Sequence, residues 1–356
     1  MGRALAPTVL LTGTPGAVVE AAAGALAAAG WATRHVPIGS DGSLRLERAP
    51  EGAWAVVHFG LRTPREAEEH VRAEAEAAAA AGAAELARAA GARRLVHVST
   101  VGVYGRPRNL PCREGELKAP RTAHERIRWR AEQASWAAFR RGAPLTVLRP
   151  AIVYGPTLRG GPVRALALFA LLYGSRRYAP ILRRGPVAHL VHLDDLCRAV
   201  VHVVTHPDDA AVVGRAFNVA DEAPLPLAEH LETALSALGY LPGRLLPSVP
   251  RLASALLWLV RHVPDRALLE PVNRRLERRW LALAARTRAS TALAPRFDRE
   301  ALHWMAADHY YDTTRLVRTG WRPIHPVSTP AVVETIRALV AGGLLPGSGT
   351  GALPAW

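Results

Sequence analysis

The stretch Leu10-Leu11-Thr12-Gly13-Thr14-Pro15-Gly16-Ala17-Val18-Val19 carries the residue types best suited to hold a ligand. An apolar strand that ends in a glycine-rich turn and runs into an alanine-rich helix brings backbone N–H groups and a helix N-terminus to one point, which suits a diphosphate. Gly13 and Gly16 are three apart, and Val19 stands where a third glycine would let helix and strand pack closely. Ordinary turns also use glycine pairs, so the dinucleotide reading needs context. Other chemistry is poorly represented. No His, Asp and Glu set has the spacing of a metal site, and no Gly-x-Ser-x-Gly elbow is present, since Ser99 follows Val98. His58 and His97 fall in apolar strands and read as hydrogen-bonded core residues.

Composition narrows the classes. The chain has 356 residues, 49% of them hydrophobic, enough for a large α/β domain or a nucleotide domain with a smaller lobe. The net charge of +15 is spread along the chain and is not interleaved with aromatic residues, which argues against nucleic acid. Lys118 is the only lysine, so every other basic side chain except histidine is arginine, and a Lys-to-Arg difference means less here than elsewhere. Two cysteines, Cys112 and Cys197, make no disulfide framework, and the chain start reads as a first strand, so the expectation is a cytoplasmic protein. Leu252 to Val260 is apolar but half the length of a membrane span.

The elements that must position the turn follow in order. Strands are expected at Val9–Leu11, Ala32–Ile38, Ala53–Phe59, Arg94–Thr100, Pro144–Leu148, Ala188–Leu193 and Arg215–Ala220. Helices are expected at Ala17–Ala29, Arg65–Ala90 and Thr122–Arg140. The alternation predicts an α/β fold with a doubly wound parallel sheet. About fifteen residues separate the second and third strands, little room for a crossover helix, so the adenine side of the fold should be trimmed. From Pro247 to Pro295 the character changes: an apolar run is followed by Arg274, Arg275, Arg278, Arg279, Arg286 and Arg288 around Trp280, Leu281 and Leu283. Such a segment suits a membrane surface, a lid over an apolar substrate, or a solvated face on an ordinary helix.

Taken in order, seven pieces resemble the extended short-chain dehydrogenase/reductase family, also called the NAD-dependent epimerase/dehydratase family. They are Thr12-Gly13-x-x-Gly16, Val57-His58-Phe59-Gly60, Val98 to Gly105, Leu148-Arg149-Pro150 through Tyr154-Gly155-Pro156, Val191 to Asp195, Phe217-Asn218-Val219, and Asp312 to Arg315 with Gly320-Trp321-Arg322-Pro323. The layout is most similar to the 3β-hydroxysteroid dehydrogenase branch. The resemblance implies a Rossmann core over 1–155 with returning strands at about 188–220. It also implies a smaller, mainly helical C-terminal substrate lobe over 156–187 and 221–346, with an insertion at about 247–295 and a tail at 347–356.

The same resemblance assigns roles. Thr12, Gly13, Thr14, Pro15, Gly16, Phe59 and Gly60 would bind NAD, with NADP as the alternative because neither an acid nor an arginine ends the second strand at Val36-Pro37-Ile38. Thr100 matches the family's catalytic Ser/Thr. Where the family has Tyr-x-x-x-Lys, alignment on Pro120 and Glu132 places His124 and Arg128. Arg128 keeps a charge that can hydrogen-bond a ribose, and His124, an imidazole that can accept or donate a proton near neutrality, is the expected acid/base. Tyr104 and Tyr154 are expected to line the substrate pocket. The implied activity is interconversion of a ketone and a secondary alcohol on a lipophilic small molecule. Nucleotide-sugar epimerase or dehydratase chemistry is one alternative, and a non-catalytic cofactor- or ligand-binding member is another. The partner expectations are the small-molecule substrate, no nucleic acid, peripheral contact with a membrane surface, and a homodimer.

Overall fold

The computed structural model describes residues 7–44, 52–61, 67–174, 176–182, 185–246, 263, 265–297, 304–305 and 307–346. The chain divides into two compact units, the first comprising residues 1–151, 193–220 and 311–324, the second 152–192, 221–310 and 325–356. The apolar run Leu252–Val260 and the tail at 347–356 lie outside the described residues.

The first unit is built on six strands, β1 (Thr8–Thr12), β2 (Ala32–Val36), β3 (Ala53–His58), β4 (Arg94–Val98), β5 (Leu145–Pro150) and β6 (Arg215–Val219). They form one sheet in the order β6-β5-β4-β3-β1-β2, and every pairing is parallel. β3 and β4 are buried almost throughout because both of their faces are covered, and β4 carries Arg94 and His97 into that interior. Helices α1 (Ala17–Ala28) and α4 (Leu193–Thr205) pack together, as do α2 (Glu69–Ala89) and α3 (Ala123–Phe139). The α2/α3 layer meets Leu10, Val56, Leu95, Leu145 and Val147 of the sheet. Alanines 79, 80, 83, 84 and 87 let α2 lie close to that face. This is the doubly wound Rossmann architecture that the alternation predicts. β2 is the edge strand, and the described residues between β2 and β3 contain no helix, so the sheet stops one crossover short on that side.

The unit boundaries differ from the expected ones. The Rossmann unit ends at Ala151, the strand Leu190–His192 belongs to the second unit, and residues 311–324 return to the first. The last difference has a clear cause. Tyr311 is buried and stacks on Tyr104 at 5.9 Å, Asp312 N donates to the Cys112 carbonyl, and Asn218 Nδ2 donates to the Asp312 carbonyl. The Asp312-Thr313-Thr314-Arg315 motif thus ties a late segment to β6.

The second unit has helices at Pro162–Tyr173, Leu227–Ala237, Asp265–Thr287 and Ser328–Ala341, with three short two-stranded pairings. Its core gathers Leu166, Leu171, Leu235, Tyr240, Trp280, Ile336 and Leu339. On the Asp265–Thr287 helix, Leu276, Trp280 and Leu283 face that core at helical spacing, while Arg274, Arg275, Arg278 and Arg286 are exposed. No described helix is long and apolar enough to cross a membrane.

Polar side chains line the C-terminal ends of the central strands. The Thr12 hydroxyl and His58 Nδ1 are hydrogen-bonded at 2.9 Å, and Ser135 Oγ and His97 Nδ1 at 3.0 Å. Both rings are buried, 5.4 Å apart, and Nε2 of each lacks a hydrogen-bond partner. Burial, reinforced by the charge of Arg128, holds both imidazoles neutral; His97 is lowered to about 3. The unfolded chain therefore takes up protons near pH 6.5 that the folded chain refuses. The stability these histidines allow is intact above that value and is lost as pH falls toward their folded values, at about 1.4 kcal/mol per pH unit for each proton. Urea unfolding at pH 7 and pH 4.5 should show the loss, and the double replacement of His58 and His97 by Gln should flatten the slope by close to two protons. An unchanged slope in that variant would show that other groups govern acid stability.

Candidate active site

The turn after β1 is held from two sides. Phe59 N donates to the Thr12 carbonyl at 2.9 Å, and Thr14 N donates to the Gly60 carbonyl at 3.0 Å, so the turns after β1 and β3 are locked together. Gly13 has φ +124°, and a Cβ there would lie 2.7 Å from the Gly60 carbonyl oxygen, so the close approach needs glycine. His35 on β2 adds a 3.0 Å contact from Nε2 to the Gly13 carbonyl. Gly16 then caps α1 with no side-chain hydrogen bond, and a Cβ built on it meets nothing within 4 Å. No side chain therefore caps or crowds the start of α1, as a backbone anion site at a helix N-terminus requires. Val19, at the third-glycine position, is buried.

α3 supplies the second half of the site. Thr122 and Glu125 form a capping box, in which Glu125 N donates to Thr122 Oγ1 at 3.2 Å and Thr122 N to Glu125 Oε2 at 3.0 Å. His124 lies in the first turn beyond that cap and is exposed; Arg128 follows one turn later, on the same side of the helix. Thr100 ends the turn after β4. Its Oγ1 accepts from Gly102 N at 3.1 Å, its side chain is partly exposed, and its hydroxyl hydrogen stays available to donate. A Cβ on Gly102 would lie 3.1 Å from Glu125 Cγ and 3.4 Å from Thr100 Oγ1. The first turn of α3 is thus packed against the turn that presents Thr100.

Arg128 reaches back to the glycine turns. Nη2 donates to the Phe59 carbonyl at 3.2 Å, and Nη1 lies 3.5 Å from Glu76 Oε1. Gly60 has φ +83°, and a Cβ on it would overlap the guanidinium. Glu76 is a buried carboxyl on α2; desolvation raises its pKa, and Arg128 pulls it back. Gly13, Phe59, Gly60 and Arg128, separated by up to 115 positions in sequence, are in this way joined at the ends of β1 and β3. Pro15 completes the turn, and Thr12 is turned inward onto His58.

The tyrosines behave differently from the sequence expectation. Tyr104 is 1% exposed, donates to Asn218 Oδ1 at 2.8 Å and accepts from Arg149 Nη1 at 2.7 Å. Its hydroxyl is consumed by the core, and burial raises its pKa, so it does not line a pocket. Tyr154, in the second unit, is buried too: its hydroxyl donates to the Ser328 carbonyl at 3.3 Å, and its ring meets His192 edge-on. Sequence reading missed Glu76. The signal was there, since Glu76, Ala80, Ala83 and Ala87 share one helical stripe, but acids crowd the start of α2 on all sides and hide it.

Comparison with known proteins follows the same lines. The family model described as the NAD dependent epimerase/dehydratase family matches residues 18–220. No curated protein sequence matches the chain. Among solved structures, a UDP-galactose 4-epimerase superposes with TM-score 0.62 at 19% identity, covering 94% of this chain and 99% of that one. The terminal R domain from the myxalamid PKS-NRPS biosynthetic pathway gives TM-score 0.66 at 18% identity, over 96% and 92%. The dTDP-glucose 4,6-dehydratase of Bacillus anthracis, in complex with NAD, gives 0.60 at 15%, over 94% and 97%. At these identities the structures speak for the fold, and the family model, which spans more than half of the sequence, settles membership: the chain belongs to the NAD-dependent epimerase/dehydratase family.

Proposed function

We propose that the protein is an NAD(P)H-dependent oxidoreductase that interconverts a ketone and a secondary alcohol on a lipophilic small molecule. The observation that carries this reading is the junction at Gly60, where the Gly13 turn, the open N-terminus of α1 and the Arg128 guanidinium come together. Thr12 to Gly16 would hold the diphosphate through backbone N–H groups, while Phe59, Gly60 and Arg128 would meet the ribose. The cofactor would supply the hydride exchanged with the carbonyl carbon. Thr100 would hydrogen-bond the substrate oxygen, and His124 would exchange a proton with it.

The apolar character of the substrate rests on the second unit, which exposes Leu172, Tyr178, Leu241, Val272, Leu281 and Met305. Nucleotide-sugar chemistry is the alternative, favoured by the names of two similar structures and opposed by that apolar surface. The apolar face of the Asp265–Thr287 helix is turned into the core, so contact with an anionic bilayer would rest on the charge of the exposed arginines 274, 275 and 278.

Three measurements follow. Titration with NADH and NADPH should enhance nicotinamide fluorescence for at least one of them; if neither binds, the oxidoreductase reading falls. His124→Ala should lower turnover of a responsive hydrophobic ketone by about 10²–10⁴-fold with dinucleotide affinity unchanged, and full turnover in that variant would remove His124 from the chemistry. Co-sedimentation with phosphatidylglycerol vesicles should exceed that with phosphatidylcholine vesicles and fall when Arg274, Arg275 and Arg278 are replaced by Gln, whereas equal pelleting with both lipids counts against a membrane surface.

A further inference from the structure

Among the described residues the first unit has two arginine–glutamate pairs with low exposure, and they are built differently. Between Arg149 and Glu132 the contact is saturated: Nη2 donates to Oε1 at 2.6 Å and Nε to Oε2 at 3.1 Å, while Ser99 and Trp136 bond the same carboxylate. Between Arg128 and Glu76 a single 3.5 Å approach is made; Glu76 also takes a backbone hydrogen bond from Leu61, while its Oε2 and Arg128 Nε are buried with no hydrogen-bond partner. A buried charge left short of bonds is costly, and a pair whose role is to bind elements together would be expected to close up as Arg149 and Glu132 do.

The surroundings explain why it stays open. Glu76 stands in a layer of buried alanines, Ala75, Ala79, Ala80 and Ala83, where a carboxylate costs far more than another alanine. His58 and His97, the imidazoles beside Arg128, are held neutral and supply no second cation for Glu76. Arg72, on α2, also attracts Glu76, but more weakly than Arg128 does. The Phe59 carbonyl fixes one end of the Arg128 fork and Glu76 the other, so the plane of the guanidinium is set across Gly60. A lysine at position 128 would present a point charge that needs no such second anchor; an arginine does.

We propose that Glu76 is a positioning residue of the dinucleotide site, holding the Arg128 guanidinium across Gly60 so that its remaining N–H groups are presented to a sugar hydroxyl. The inference rests on the reading that Arg128 meets the cofactor ribose. A hydroxyl suits the pair because it can accept from the guanidinium and donate to a carboxylate, whereas a phosphate would be repelled by Glu76.

A double-mutant cycle on the full chain tests it, with NADH affinity read by nicotinamide fluorescence and folding by circular dichroism and thermal melting. Arg128→Met and Glu76→Gln should each weaken NADH binding about tenfold, the loss of one hydrogen bond to a charged group. The double variant should bind no more than about twofold worse than Arg128→Met alone, because Glu76 acts only through that side chain. Glu76→Asp should recover part of the affinity, and it serves as the test variant should Glu76→Gln fail to fold. A folded Glu76→Gln protein with wild-type affinity, beside a weakened Arg128→Met, overturns the positioning role alone; so does a Glu76→Gln loss that persists in full without Arg128. Wild-type affinity in Arg128→Met overturns the ribose contact beneath it and the positioning role with it.

Discussion

Glu132 is a fully buried carboxylate, and the first unit is arranged to satisfy it. It accepts from the Ser99 hydroxyl at 2.6 Å, from Trp136 Nε1 at 3.0 Å, and twice from Arg149. Those four bonds come from the end of β4, from α3 itself and from β5. A buried carboxylate is stable only with such a complete set, and losing a partner leaves an uncompensated charge costing about 3–5 kcal/mol. The consequence is positional. Arg149 goes on to Tyr104, and Tyr104 to Asn218 on β6, so one chain of hydrogen bonds fixes α3 to three adjacent strands. The helix that carries His124 and Arg128 is therefore placed by Glu132, four residues beyond Arg128, while its other end is fixed by the capping box at Thr122.

The glycine turns contribute the complementary constraint. Gly13 and Gly60 are close because neither has a side chain to keep their backbones apart, and each has a positive φ. The contact brings the ends of β1 and β3 together, and the missing side chain of Gly60 leaves the space that Arg128 fills. Beneath them Thr12, His58, His97 and Ser135 form a neutral polar layer. The placed charges and the neutral layer together give the site a field set by two carboxylates, Glu76 and Glu132, both taken from helices.

Much of this was legible in the sequence, for physical reasons that differ by element. The inner strands β1, β3, β4 and β5 show as largely apolar runs because parallel strands inside a sheet are buried on both faces, and the missing crossover beyond the exposed edge strand β2 shows in the short spacing to β3. Gly13 and Gly60 were readable because a turn that needs positive φ needs glycine. The direction of Tyr104 was not: a tyrosine in the turn that follows a strand can face a pocket or the core, and the choice is made by Arg149 and Asn218, distant in sequence and uninformative by type. The return of residues 311–324 to the first unit was hidden for the same reason, since it depends on backbone bonds to Cys112 and from Asn218. Glu76 was masked by its neighbours, where surface acids and one buried acid look alike until the helix has a face.

The exchange of the family's Tyr-x-x-x-Lys pair for His124 and Arg128 can be judged against this framework. A change at a solvated position would leave no trace elsewhere, but Arg128 is bonded to Phe59, faces Glu76 and rests on Gly60, so three other positions are shaped to the arginine. A guanidinium cannot give up its proton and thus takes no part in proton transfer, whereas an imidazole four residues earlier, at an exposed first turn, can. On the proposed function, Arg128 would carry the fixed charge and His124 would exchange the proton, a sharper division than that between a tyrosine and a lysine, whose ammonium can itself titrate. The contacts of Arg128 with Phe59, Glu76 and Gly60 are those of a site fitted to an arginine at this position.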